Sequence, residues 1–182
     1  NNWHTALSIQ EEIKDYEGAS RSLNNIASVH IAQGDTASAI EYLNKALKIY
    51  NVINFQPGMA HVFNNLGTIY NQKGEFDKAL DYHTRSLKIK EEIKDNRGIQ
   101  NSHINIGLAY ANKNNIPLAL QHLETALKMA ETIGDKMGAA VSLKDIAEVH
   151  LKQKQYARAS TYAEKSLKIA RDLGYPEQIK NA

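Results

Sequence analysis

The sequence has 182 residues, of which 42% are apolar, and 22 basic against 20 acidic residues give a net charge of +2. This balance supplies no strong field for nucleic acid or an anionic membrane, so we expect neither as a partner. The absence of cysteine excludes disulfides and thiolate metal sites. No apolar run approaches the roughly 20 residues that span a bilayer, so we expect no membrane insertion within this segment.

The first predicted element is an amphipathic helix over residues 1–14. A shift of 40 places Ala6-Leu7-Ser8-Ile9 on Ala46-Leu47-Lys48-Ile49, so this helix matches the second helix of a repeat whose first helix is missing. We interpret it as part of a longer array, and a solitary capping helix is the alternative. In both cases we expect Trp3 and Leu7 to cover the helix that follows.

Four units with a period of 40 residues come next, and no insertion interrupts them. In one strongly matching stretch, Asn64-Asn65-Leu66-Gly67 aligns with Asn24-Asn25-Ile26-Ala27. A fixed period of this size indicates a repeat array of helix pairs. The predicted boundaries are 1–17 for the partial repeat, 18–57, 58–97, 98–137 and 138–173 for the full repeats, and 174–182 for the start of a further helix. The predicted first helices are 18–32, 58–72, 98–112 and 138–152, and the second helices are 36–53, 76–93, 116–133 and 156–173.

Small residues and turn residues recur in the same register. Gly67 and Ala79 have small counterparts in every unit, which indicates close helix crossings. Gly74 stands at a predicted helix end, where a left-handed residue is favoured. Asp95 precedes Gly98 by three residues between two units, a spacing suited to ending one helix and starting the next.

These residues resemble the tetratricopeptide repeat family. The second unit carries the pattern as Phe63, Leu66, Gly67, Tyr70, Phe76, Ala79 and Ser86, and the third as Ile106, Gly107, Tyr110, Ile116, Ala119 and Ala126. The common repeat is 34 residues long, whereas the 40-residue period is similar to the longer form of kinesin light chain, Pins-type adaptors and the arrays of bacterial regulators and sensor kinases. The resemblance implies an all-α fold, a right-handed α-α superhelix of antiparallel helix pairs.

The resemblance also implies a concave groove lined by the first helices, which binds a peptide or protein segment. The residues at the matching positions are Arg21, Asn24, Asn25, His61, Asn64, Asn65, Thr68, Asn101, Ile104 and Asn105. In this family, Asn at the places of Asn25, Asn65 and Asn105 holds peptide backbone, and Asp145 stands at the fourth such place. The alternative is that these Asn side chains bridge or cap helices inside the array.

No catalytic or cofactor motif stands out in the sequence. His30 and His150 take the place of Tyr70 in other units and His122 that of Tyr82, so we expect packed rings, whereas His61 and His103 are candidates for the groove. No His spacing suits a metal, so we predict no metal, no cofactor and no enzymatic activity. The basic ladder of Lys48, Lys88, Lys128 and Lys168 is interpreted as a solvated face.

The predicted function is therefore a non-catalytic protein-interaction module whose partner is a protein or peptide. The alternatives are a signal-input region of a larger bacterial sensor kinase or transcriptional regulator, with further domains in the same polypeptide, and a self-association scaffold. We expect a soluble protein, in the cytoplasm rather than the periplasm.

Overall fold

The computed structural model describes residues 2–174, apart from the side chains of residues 2–4, 7 and 11. Every regular element in that range is an α-helix. The chain divides into two compact units, Asn1–Lys94 and Asp95–Ala182. The first unit contains α1 (Asn2–Glu12), α2 (Tyr16–Ala32), α3 (Thr36–Val52), α4 (Gln56–Gln72) and α5 (Phe76–Glu92). The second contains α6 (Asn96–Asn112), α7 (Ile116–Ile133), α8 (Lys136–Lys152) and α9 (Tyr156–Asp172).

The predicted helix positions are confirmed, but each first helix begins two residues earlier than the sequence indicated. The Asp95 carboxylate accepts a hydrogen bond of 2.9 Å from the Gly98 backbone N–H, and Asp135 does the same for Gly138 at 3.1 Å. These aspartates are therefore N-caps. The recurring glycines lie inside the first turn of these helices. From the sequence, we had expected them to lie between the repeats.

The helix ends share a single turn geometry that repeats every 20 residues. Each described turn holds one residue with positive φ, in chain order Lys14, Gly34, Asn54, Gly74, Lys94, Asn114, Gly134, Lys154 and Gly174. Such a left-handed residue lets the chain reverse direction after a helix. The five that are not glycine have φ between 51° and 64°. Consecutive helices are thus joined by tight turns of three residues, or two between α7 and α8.

In the first unit, each helix packs against the next one along the chain, and α2 also contacts α4. Leu43, Leu66 and Tyr50 are almost fully buried in the shared core. The helix α1 lies against α2, where Gln10 bonds to Ser22 at 2.7 Å. The predicted contacts of Trp3 and Leu7 lie outside the described residues.

In the second unit, α6 and α7 form one pair, α8 and α9 form another, and α8 packs against both α6 and α7. Leu123 and Ile146 are fully buried in this core. On the other side of the α8–α9 pair an apolar concavity of about 710 Å³ is lined by residues that include Leu151 and Leu167.

The small residues in the first helices mark close helix crossings, as the repeat pattern predicted. A Cβ atom added at Gly67 would stand 2.6 Å from the His83 ring, and one at Gly107 would stand 2.8 Å from Leu123 Cγ. Contacts this short require a neighbour to move, and these neighbours are buried. The first and second helices of these repeats therefore approach closely because a side chain is missing.

Candidate functional site

The first unit contains two full repeats. Its predicted peptide-binding residues lie on the first helix of each repeat, α2 and α4. The side chain of Asn65 donates a hydrogen bond of 3.1 Å from Nδ2 to Oδ1 of Asn24, which joins the two helices. Asn25 and Asn64 are half-buried beside them. Four amide side chains predicted from the sequence are thus brought to neighbouring helix faces. One of the contacts is a bridge between helices, which is the alternative that the sequence left open.

Of the other three predicted residues of this unit, two are exposed and Thr68 is half-buried. Arg21 is exposed and its guanidinium lies 3.8 Å from the Glu17 carboxylate one turn earlier. His61 is exposed at the start of α4. The Thr68 hydroxyl donates a hydrogen bond of 3.1 Å to the Asn64 carbonyl oxygen in its own helix. These side chains border the amide row.

In the second unit, a concavity of about 280 Å³ lies between α6 and α8 and includes two predicted residues, Asn101 and Ile104. Its other lining residues are Arg97, Asp135, Met137, Gly138 and Val141. Met137 and Val141 are apolar but exposed, at 45% and 37% of their surface. The concavity therefore has apolar walls and a charged rim.

Arg97 is a site residue that the sequence analysis missed. Its Nε lies 3.7 Å from the Asp135 carboxylate, and 73% of its side chain is exposed. Arg97 stands one turn before Asn101, outside the predicted span of the helix. The aspartate that begins the helix early was the signal that could have found it.

Asn105, the third member of the predicted ladder, is half-buried on α6. Asp145, at the fourth place, is 3% exposed and its carboxylate lies 3.2 Å from the Lys144 ammonium group. Burial raises the pKa of Asp145, although Lys144 opposes the change. The fourth place thus holds a buried acid paired with a largely exposed lysine, unlike the amides of the other repeats.

The histidines in tyrosine positions are packed rings, as expected. His30 stacks on Tyr42 and His150 on Tyr162, each with ring centroids 5.4 Å apart. His103, which we expected in or near the groove, instead contacts His122 with 3.0 Å between their Nδ1 atoms. Residues 2–174 contain no cluster of three His, Asp or Glu side chains suited to a metal ion. Within the same range, no helix has the length and apolar character needed to cross a bilayer.

Similar structures place this helical arrangement among known folds. The crystal structure of BtubC (BKLC) from P. vanneervenii has a TM-score of 0.82 at 20% identity and matches 95% of this chain and 72% of that one. The apo form of RapI gives a TM-score of 0.76 at 25% identity, over 93% of this chain and 47% of that one. The signal transduction ATPase PH0952 from Pyrococcus horikoshii, which has a tetratricopeptide repeat sensor, gives 0.75 at 22% identity, over 84% and 24% of the two chains. This chain thus spans less than half of RapI and of the ATPase.

Family models agree with this structural likeness. No curated protein matches the sequence. Tetratricopeptide repeat models match residues 1–51 and 98–172, and residues 60–92. The matched segments cover most of the sequence and follow the helix pairs of both units. The chain therefore belongs to the tetratricopeptide repeat family.

Proposed function

We propose that the first helices of each unit bind extended peptide, with Asn25 and Asn65 in the first unit and Asn105 in the second unit binding peptide backbone. The observation that supports this most is the row of half-buried amide side chains on α2 and α4. These helices belong to tetratricopeptide repeats, a family of protein-interaction repeats. Half-burial removes competing water from one side of an amide and keeps the other side accessible. A buried amide would serve packing alone, and an exposed one would bind weakly.

The chemistry of the amide suits a peptide ligand. An Asn side chain has one acceptor and two donor protons, so it can bind both the C=O and the N–H of an extended chain. The Asn24–Asn65 bond occupies one donor and one acceptor and holds both side chains in place. An orientation fixed before binding lowers the entropy that the ligand must overcome.

The spacing of the repeats is also suitable. Packed helices lie about 8–10 Å apart, and an extended chain advances about 3.3 Å per residue. Asn25 on α2 and Asn65 on α4 would therefore meet ligand residues about three positions apart. Each hydrogen bond contributes roughly 0.5–1.5 kcal/mol.

The concavity between α6 and α8 would set the side-chain preference. Its walls of Ile104, Met137 and Val141 are suited to an apolar side chain. Arg97 and Asn101 stand beside them and can bind a carboxylate or a carbonyl oxygen of a ligand in the second unit. The other predicted residues, Arg21, Asn24, His61, Asn64 and Thr68, border the path in the first unit.

A random-peptide library selected on the wild-type chain tests the proposal. A selected peptide is then titrated against the triple variant Asn25→Ala, Asn65→Ala, Asn105→Ala. Loss of two backbone bonds at each Asn amounts to about 1–3 kcal/mol, which is about 5- to 150-fold in affinity per position. Circular dichroism checks that the variant remains helical.

The matched control is the triple variant Lys48→Ala, Lys88→Ala, Lys128→Ala, which removes three exposed side chains from second helices. We expect it to bind like the wild type. Equal affinity of the Asn variant and the wild type would contradict the proposal, and loss of binding in the Lys variant would move the site to the second helices.

The second candidate is a sensor region of a larger polypeptide. The similar ATPase from Pyrococcus horikoshii carries a tetratricopeptide repeat sensor, and this chain spans 24% of it. The complete reading frame tests this candidate. An attached ATPase, kinase or DNA-binding domain would support it, and a frame of repeats alone would contradict it.

A further inference from the structure

A pair of facing rings distinguishes the third repeat. In the second repeat, Phe63 on α4 stacks against Tyr82 on α5 with ring centroids 6.1 Å apart. The residues 40 positions later are His103 on α6 and His122 on α7, whose centroids are 5.2 Å apart. The first and fourth repeats place Leu23 and Leu143 at the first of these positions. Among the four repeats, only the third has titratable rings at both positions.

The two imidazoles face each other through their nitrogen atoms. The Nδ1 atoms are 3.0 Å apart, much less than the 5.2 Å between the centroids, so the two nitrogens lie between the rings. One nitrogen must donate its proton and the other must accept it, because two donors or two acceptors cannot bond. The contact thus holds one proton between two neutral rings.

The positions of the protons in this contact determine which nitrogen atoms can bind further protons in acid. A first added proton can bind at the outer Nε2 of the donor ring, which keeps the N–H···N bond and strengthens it. A second added proton has only the accepting Nδ1 left to bind. It removes the acceptor and places two cations in contact across α6 and α7, which disfavours their packing.

The neighbouring position along the second helix supports a role for charge here. In the other three repeats, a basic side chain lies over the tyrosine three residues earlier: Lys45 over Tyr42 at 5.2 Å, Arg85 over Tyr82 at 5.6 Å and Lys165 over Tyr162 at 5.6 Å. In the third repeat, this position is Thr125, whose hydroxyl bonds to the Gln121 carbonyl oxygen. Of the four rings at this position of the repeat, only His122 can become a cation, and it has no basic side chain three residues later.

The charged groups of the surrounding helices engage other partners. On α8, Lys144 pairs with Asp145 and Glu148, and Lys152 bonds to Asn112. Arg97 and Asp135 pair with each other. Tyr110 stacks on His122 with centroids 5.6 Å apart. Burial lowers the pKa of both histidines, and His103 further lowers the pKa of His122. The two imidazoles therefore respond mainly to burial and to each other.

We propose that His103 and His122 form an acid-sensitive latch, closed by an N–H···N bond near neutral pH and opened in acid once both rings have taken up a proton. Opening separates the α6–α7 pair at this point. Asn101 and Asn105 lie within one turn of His103 on α6, so the latch would make their surface respond to pH.

Nuclear magnetic resonance titration of the imidazole Cε1 protons from pH 8 to pH 4, with chelator present, tests the coupling directly. In the wild type, we expect two coupled steps, separated by about 1 pH unit or more. In His103→Phe, we expect His122 to titrate in one step and at a higher pH. Independent single-step curves in the wild type would overturn the proposal, and this wild-type result holds whether or not the variant folds.

Amide hydrogen exchange at pH 7 and pH 5 tests the opening. The double variant His103→Phe, His122→Tyr copies the Phe63–Tyr82 pair of the second repeat. We expect exchange in α6 and α7 to accelerate in acid, relative to α9, in the wild type but not in the double variant. The matched control is His150→Tyr, which alters a stacked histidine of the same unit and should keep the acid response. The same acceleration in the double variant would contradict the latch.

Discussion

His83 is a buried histidine whose charge state should affect the stability of the protein. It is 1% exposed in the core of the first unit, and its Nδ1 is a buried nitrogen without a hydrogen-bond partner among the described residues. Burial lowers the pKa of His83 to about 4, and the Lys90 charge contributes to the same direction. Leu43 and Leu123 occupy the same position in neighbouring repeats, and both are fully buried. We therefore predict that His83→Leu stabilises the protein.

Two magnitudes follow for this substitution. Near neutral pH, removing a buried polar atom without a partner should add about 1–3 kcal/mol to the free energy of unfolding. Acid adds a second effect, because the unfolded chain takes up a proton near pH 6.5 whereas folded His83 does so only near pH 4. Stability is then complete above pH 6.5 and falls as the pH drops towards 4. At 1.36 kcal/mol per pKa unit, the total loss is roughly 3 kcal/mol.

Urea unfolding at pH 7.5, 6.5, 5.5 and 4.5 measures both effects. We expect His83→Leu to raise the midpoint at pH 7.5 and to flatten its decline in acid. Asn44→Leu is the control, because Asn44 is exposed and does not titrate, so its replacement by leucine should leave the decline unchanged. An equally steep acid decline in His83→Leu, or a lower midpoint at pH 7.5, would refute the reasoning.

Three further predictions concern stability in thermal or urea unfolding. Gly107→Ala should destabilise by about 1–3 kcal/mol, because its new Cβ would stand 2.8 Å from Leu123 Cγ; an unchanged midpoint would show that the crossing can widen. Asp95→Ala should cost about 0.5–2 kcal/mol through loss of the N-cap, while Asp95→Asn should cost little, and equal losses would argue against capping. Lys154→Gly should stabilise the protein by about 1 kcal/mol, because φ is 57° at Lys154 and glycine adopts this conformation without strain. Gly74→Ala should destabilise it, because φ is 76° at Gly74. Changes of the opposite sign would contradict the left-handed turns.

The repeat period predicted most of the fold. Residues spaced 40 apart placed the helices, and the small residues at Gly67 and Gly107 correctly indicated close crossings. The repeat pattern also included Ser86 on α5, and Ser86 is buried. Ser86 bonds to the Ala60 carbonyl oxygen at 2.8 Å, a partner in the paired helix that spacing alone does not reveal.

The site was predicted less completely, because side-chain partners depend on distances between helices. The sequence assigned Asn24 and Asn65 to a ligand but could not show that they bond to each other. It treated His103 and His122 separately, since they are 19 residues apart and meet only when α6 and α7 pair. Arg97 was missed because the helix start was set two residues late.

The turns also determine how a chain of this kind can change its length. A left-handed residue recurs every 20 residues, so inserting or deleting 20 would keep every turn in register. Such a change would nevertheless exchange first and second helices, and bulky positions would then fall where Gly67 and Gly107 must leave space. Only a change of 40 residues preserves both the turns and the crossings. Length variants of this sequence that fold should therefore differ in steps of 40, and a 20-residue insertion should disrupt packing on one side of the insertion point.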